Sequence, residues 1–136
     1  MSSQWIDDRI NTIFTRVKNH SVKAFKTKYP DLNFTQDDSE NIDAKFPTVY
    51  MFFDTEERQS TLDGGVINAV YMVVRTKISV TKVQGNNVAR EVNTKVRDEL
   101  CSLGFRTSGS PIPTVSGDVK IINSNYQRMV GFNDPL

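Results

Sequence analysis

The sequence predicts an α+β fold, a mostly antiparallel mixed β-sheet with two α-helices packed on one face. Three observations lead there. Two segments, around residues 6–28 and 88–103, carry apolar residues at helical spacing. Four others are strand-like, and the longest alternates between apolar and polar positions. Their order is helix, strand, strand, strand, helix, strand, and two helices covering one side of the sheet is the simplest way to bury both stripes. With 136 residues and no internal repeat, the chain reads as a single domain over 1–136.

In the first helix Ile6, Ile10, Ile13, Phe14, Val17, Ser21, Ala24, Phe25 and Lys28 follow the helical rhythm. Ser2 or Ser3 is a suitable cap, Asp7 and Asp8 suit the positive end of the helix dipole, and Lys23, Lys26 and Lys28 suit the negative end. Tyr29-Pro30-Asp31 stops it, because proline biases the residue before it away from helical geometry. Leu32 to Thr35 reads as a short edge strand, and the acidic stretch Gln36 to Lys45 as a loop. Phe46 to Phe53 is dense in β-branched and aromatic residues, so it predicts a central, buried strand with Pro47 at its start. Asp54 to Gly65 reads as a charged loop ending in the turn signal Asp63-Gly64-Gly65.

Val66 to Val83 is the clearest strand. One side carries Val66, Val70, Met72, Val74, Ile78 and Val80, the other Tyr71, Arg75, Lys77, Ser79 and Thr81. At ~3.3 Å per residue such a strand reaches about 60 Å, so a bend or a projection beyond the body is expected. Asn86 or Asn87 is a candidate cap for the second helix, whose stripe is Val88, Val92, Val96, Leu100 and Leu103. Gly104 then suits a left-handed end, with Phe105 folding back on Leu100. Thr107 to Gly117, with two prolines and two glycines, reads as an irregular connection, Val119 to Val130 as the last strand, and residues 131–136 as a mobile tail.

Composition narrows the function. A net charge of +1 lacks the basic field of a strong nucleic-acid binder and makes self-association electrostatically easy. A single cysteine, Cys101, rules out an intrachain disulfide and favours a reducing compartment or a fold indifferent to redox state. The N-terminus lacks the pattern of a signal peptide, and no apolar run approaches a membrane span, so a cytoplasmic site of synthesis and no membrane partner are expected.

Catalytic motifs are weak. His20 and Cys101 could form a dyad only if brought within hydrogen-bond reach, yet His20 sits on the polar side of its helix, and Cys101 beside an apolar stripe reads as a small hydrophobe. One His and one Cys cannot supply a zinc ligand set. Pro30-Asp31 with Asp43-Ala44-Lys45 resembles the PD-(D/E)xK nuclease pattern, in which two carboxylates hold Mg²⁺, but here Asp43 and Lys45 precede the apolar strand that should carry them. The acidic loops lack calcium-loop spacing, and no phosphate-binding glycine motif occurs. The expectation is therefore no enzyme, no metal and no cofactor. Arg75, Lys77 and Lys82 on the long strand, joined by Arg58, read either as a solvent face or as a polar surface used against another subunit or lining a ring.

Lys28-Tyr29-Pro30-Asp31, the Phe46-Pro47 strand, Leu100-x-x-Leu103-Gly104-Phe105-Arg106 and Tyr126-Gln127-Arg128 together resemble the tail-terminator (tail-completion) proteins of long-tailed bacteriophages. The resemblance runs over nearly the whole chain as an order of elements. It implies a homo-oligomer, a hexameric ring, that caps the head-proximal end of the tail tube, stops tube growth and presents a surface to the head–tail connector. It implies a virion protein assembled in host cytoplasm, with DNA passing through the ring and no sequence-specific nucleic-acid contact. A head-completion or neck protein bridging portal and tail is the alternative, and an Mg-dependent nuclease using Asp31, Asp43 and Lys45 the remote one. Candidate subunit or tube contacts are Arg58, Tyr71, Arg75, Lys77, Lys82 and Arg128.

Overall fold

The computed structural model describes residues 4–36, 46–59, 67–132 and 134, with side chains for all of these except 58, 59, 67, 68 and 116. Its elements are α1 (Gln4–Ala24), β1 (Asn33–Thr35), β2 (Thr48–Gln59), β3 (Ile67–Thr81), α2 (Gly85–Ser102), β4 (Arg106–Thr107), β5 (Ile112–Ser116) and β6 (Val119–Gly131). The sheet order is β1-β2-β3-β6-β4, with β5 also paired to β6. Only the β1–β2 pair is parallel, so the fold is α+β with a mostly antiparallel mixed sheet.

β3 is the spine. Its residues pair with β2 from Ile67 to Ser79 and with β6 from Ala69 to Thr81. At ~3.3 Å per residue its 15 residues span about 50 Å. The expected projection does not occur among the described residues, because a neighbour flanks the strand on both sides along nearly its whole length. Alternation then sorts the side chains. Val70, Met72, Val74, Ile78 and Val80 are fully buried, as are Val49 and Met51 of β2 and Val130 of β6. All but Val80 share one core with Ile6, Ile13 and Val17 of α1 and Val92, Val96 and Leu100 of α2, and Val80 packs in a smaller cluster with Ala89 of α2 and Ile122, so both helices cover the same side.

α1 ends six residues before Pro30. The regular helix stops at Ala24, and two further i→i−4 bonds, Phe25 N–H to Ser21 and Tyr29 N–H to Phe25, bring the chain round to Pro30. Phe25 seals this end of the core, while Ala24 and Lys28 of the expected stripe are exposed.

α2 begins differently from expectation. Neither Asn86 nor Asn87 caps it. Thr81 and Gln84 instead exchange bonds: Gln84 N–H donates to Thr81 Oγ1 at 3.2 Å and Thr81 N–H to Gln84 Oε1 at 3.1 Å. The reciprocal exchange closes the turn that leads into α2, whose own N-cap, Gln84, makes no side-chain capping bond. Its C-terminal end is as expected. Phe105 N–H donates to Leu100 O at 3.1 Å and Gly104 N–H to Cys101 O at 3.0 Å, the two bonds of a Schellman motif. Gly104 has φ +91°, and a Cβ built there lies 2.8 Å from Arg128 Nε, so glycine is needed for both conformation and space.

Three segments correct the sequence reading. Asp54 to Gln59 continues β2 as a strand, while the Asp63-Gly64-Gly65 turn and the acidic stretch 37–45 lie outside the described residues. The connection between Thr107 and Gly117 contains β5, an edge strand joined to β6 by a turn at Gly117 and Asp118. The start of the tail is docked: Arg9 donates to Phe132 O at 2.9 Å, Trp5 meets Phe132 edge to face at 5.7 Å, and Asp134 pairs with Arg128 at 2.9 Å.

Leu100→Ala should destabilise the fold by ~2–5 kcal/mol in denaturant titration, since it empties a site with no solvent access. Gly104→Ala should cost about 1 kcal/mol or more, because alanine resists the left-handed conformation and its methyl group meets Arg128.

Candidate functional site

Among the described residues, no helix lies over the side of the sheet away from α1 and α2, and three rails of different chemistry run along it. β2 contributes aromatic rings, β3 cations and β6 amides. Register places Phe52 opposite Arg75 and Tyr50 opposite Lys77, and beyond the cations it places Asn125 and Asn123. The Tyr50 and Phe52 rings stack at 6.5 Å, and the Arg75 guanidinium carbon stands 5.9 Å from the Phe52 centroid. That is cation–π distance, so the arginine is held over the ring. Asp54 approaches Arg75 only to 3.9 Å, with both side chains more than half exposed, which makes the ion pair a minor restraint. Farther along, the Tyr71 hydroxyl donates to Gln127 Oε1.

These rails border an open trough of about 590 Å³, closed on one side by Thr114 of β5. Phe52 is 40% exposed, and Met129 on the same side 48%. The face therefore offers apolar rings, guanidinium and ammonium donors, and primary amides within a few ångströms of one another. Such a mixture suits a polar protein interface with aromatic and arginine anchors. It offers no nucleophile with an adjacent base.

The candidate contact residues fall in several places. Tyr71, Arg75 and Lys77 lie together on this face. Lys82 is not on the strand: it is exposed in the turn between β3 and α2, where its N–H donates to Asp118 O at 2.8 Å. The Arg58 backbone pairs with Ala69 near the end of β2, and its side chain lies outside the described residues. Arg128 is on the opposite side, opposite Met72 in register, reaching under Gly104 to Asp134. One terminal nitrogen bonds Asp134, and the other, Nη1, is buried without a hydrogen-bond partner among the described residues.

The catalytic candidates are not assembled. His20 Nδ1–H donates to Glu99 Oε2 at 2.8 Å, tying α1 to α2, and Lys95 holds the other carboxylate oxygen at 2.9 Å. Burial disfavours the Glu99 carboxylate, but the Lys95 and His20 hydrogen bonds outweigh it and lower its pKa. Cys101 is exposed, which corrects the expectation of a packed cysteine. Asp31 is exposed in the turn before β1, and Asp43 and Lys45 lie outside the described residues. Among the described residues no group of three or more His, Cys, Asp or Glu converges as metal ligands, and no helix is long and apolar enough to cross a membrane.

Sequence reasoning missed the aromatic and amide rails. In the Tyr50–Phe53 run every residue is apolar, so the division into aliphatic Val49 and Met51 inward and aromatic Tyr50 and Phe52 outward was hidden. The amide rail had a visible signal, since Asn123, Asn125 and Gln127 occur at every second position.

No protein-family model matches the chain, and neither does any curated protein.

The Arg128–Asp134 clasp makes a prediction. Burial works against the Asp134 carboxylate, but hydrogen bonds from Arg128 and the Gly131 N–H prevail and hold its pKa below the usual value. A depressed carboxyl contributes stability above its unfolded pKa and loses it as pH falls through the folded one. The Trp5 emission should therefore hold steady from pH 7 to about 4 and shift only below the ordinary aspartate value. Asp134→Asn should shift it to the red at neutral pH with far-UV circular dichroism unchanged, because Phe132 then leaves Trp5, the chain's one tryptophan.

Proposed function

We propose that this chain is the subunit of a ring, hexameric in the form the sequence resemblance implies, that caps the head-proximal end of a phage tail tube. It stops tube polymerisation and presents a joining surface to the head connector. It acts by shape and binding, as a virion component assembled in host cytoplasm. One observation carries the reading: the sheet is covered by helices on a single side, and its other side presents Phe52, Arg75, Lys77 and Met129 with no helix above them among the described residues. Support also comes from the Leu-Gly-Phe-Arg phrase, which ends α2 in a Schellman motif and passes directly into β4.

Ring building makes specific demands on such a subunit. Contacts must be heterologous and close after a fixed rotation. One ring face must match the last tube ring, and the other must refuse a further one. The three-strand body of β3 flanked by β2 and β6 provides the fixed platform, and the aromatic–arginine face provides anchors of the kind that dominate interfaces.

Sedimentation velocity and native mass measurement on the purified chain, alone and with tail-tube protein, test the reading. The expected result is a closed ring, formed alone or on contact with tube ends, and arrest of tube growth. A strict monomer that leaves tube length unchanged overturns it, and recovery of the protein in tail-less heads moves it to the neck.

Arg75→Ala should leave the unfolding midpoint close to wild type while raising the concentration needed for assembly about tenfold, the loss of one anchor worth about 1.4 kcal/mol. Analytical ultracentrifugation and a thermal melt read the two effects separately.

A further inference from the structure

The two lateral edges of the sheet carry opposite charge. At one edge a groove of about 500 Å³ runs between α2 and β5. Arg90, Thr94 and Arg97 line its helical side, and Pro111 and Pro113 the other. Asn93 lies between them, buried, its Oδ1 accepting from Ser124 Oγ at 3.2 Å, so the amide is fixed in place. Arg90 and Arg97 are seven residues apart, about 10 Å along one helix face. Arg90 donates to Asn87 Oδ1 at 2.6 Å, and neither arginine has an ion-pair partner among the described residues. On β5, Ile112 and Val115 stand 60% and 69% exposed.

At the other edge, β1 covers β2 only from Thr48 to Tyr50. From Met51 onward the outer edge of β2 pairs with no strand among the described residues. This run carries three exposed carboxylates, Asp54, Glu56 and Glu57, and one arginine, Arg58, so its net charge is negative; Asp54 lies 3.9 Å from Arg75 of its own sheet. Glu56 is opposite Tyr71 and points to the uncovered side, whereas Glu57 is opposite Val70 and points to the helical side. Carboxylates thus flank the edge on both sides.

We propose that the α2–β5 groove is the socket for the acidic β2 edge of a second copy of this chain, so that copies join edge to edge and head to tail. The inference rests on the ring reading above and names the contact that closes the ring. Three observations select this occupant. The charges are complementary, and guanidinium groups pair with carboxylates in a forked geometry that fixes orientation. The socket and its occupant lie on opposite edges of one sheet, which makes the contact heterologous and repeatable, as a ring requires. Pro113 leaves β5 a poor template for a further strand, so the socket engages side chains and apolar area without extending the ladder.

The test uses Arg97→Glu, Glu57→Arg and the double variant as full chains with tube protein present, read by sedimentation velocity. Each single reversal should raise the concentration needed for ring formation about tenfold or more, because it sets like charges together at every contact. The double variant should return close to wild type. An equimolar mixture of the two inert single variants should also assemble, since opposite charges then meet at every contact of an alternating ring; that result also shows that both variants fold. Rings from both single variants at wild-type concentration overturn the inference and leave the ring reading standing. Wild-type protein that forms no ring under any condition overturns both. Variants that form rings normally but no longer bind tube ends assign the groove to the tube protein, and overturn the inference as well.

Discussion

Everything in this molecule depends on the register of β3 between β2 and β6. Both neighbours pair with it over nearly its whole length, and each pairing repeats the same division: Val70, Met72, Val74, Ile78 and Val80 toward the helices, Tyr71, Arg75 and Lys77 away. A slip of one residue would set Arg75 and Lys77 beneath α1 and α2 and turn five aliphatic side chains outward. Burying two cations without partners would cost far more than any single contact on the uncovered face could return. The helical core therefore fixes the composition of the opposite face, although no helix touches it. The aromatic, cationic and amide rails are a consequence of where the core lies.

A second constraint closes the molecule on itself. Arg128 runs beneath Gly104, the glycine that ends α2, and reaches Asp134. Asp134 also accepts from the Gly131 N–H at 3.2 Å, and Phe132 is held by Arg9 and Trp5 of α1. Arg128 thus links the end of α2 to the last strand and its following turn, and Phe132 in that turn joins it to the start of α1. This explains why an arginine points toward the helical side of a strand between the buried residues Tyr126 and Val130. Its charge is matched by a carboxylate from the same turn of chain, so the partner comes at little cost in loop closure.

What the sequence disclosed follows from which interactions are local. The stripes of both helices, the alternation of β3 and the Leu100–Phe105 cap are written in neighbouring residues, and each is present in the structure. β5 is not written locally: every one of its described side chains is exposed, and only its pairing with β6 makes it a strand. The acidic half of β2 was hidden for the same reason, since an edge segment wet on both sides shows no hydrophobic period. The start of α2 was misplaced because Asn86 and Asn87, residues that favour caps, lie inside the helix. The docked tail depends on a bond between residues 123 apart in sequence, which no local pattern encodes. For the candidate site, the cations on β3 were legible because polar residues interrupt an aliphatic strand. Their aromatic partners were not, because rings on either side of an apolar run look alike.

The charge on β2 bears on a hazard common to all open sheets. An unpaired strand edge is a template for uncontrolled addition of further strands, and acidic side chains on the edge are one way to prevent it. Asp54, Glu56 and Glu57 outnumber Arg58 in this run, so a β2-to-β2 meeting of two copies is disfavoured by net like charge. The same charges do not repel a groove lined by Arg90 and Arg97. Protection against the wrong contact and selection of the right one thus draw on the same residues. That economy matters for a subunit proposed to join copies in one direction only: the β2 edge disfavours itself, Pro113 blunts β5 as a template, and the pairing left favourable between the edges is the head-to-tail one.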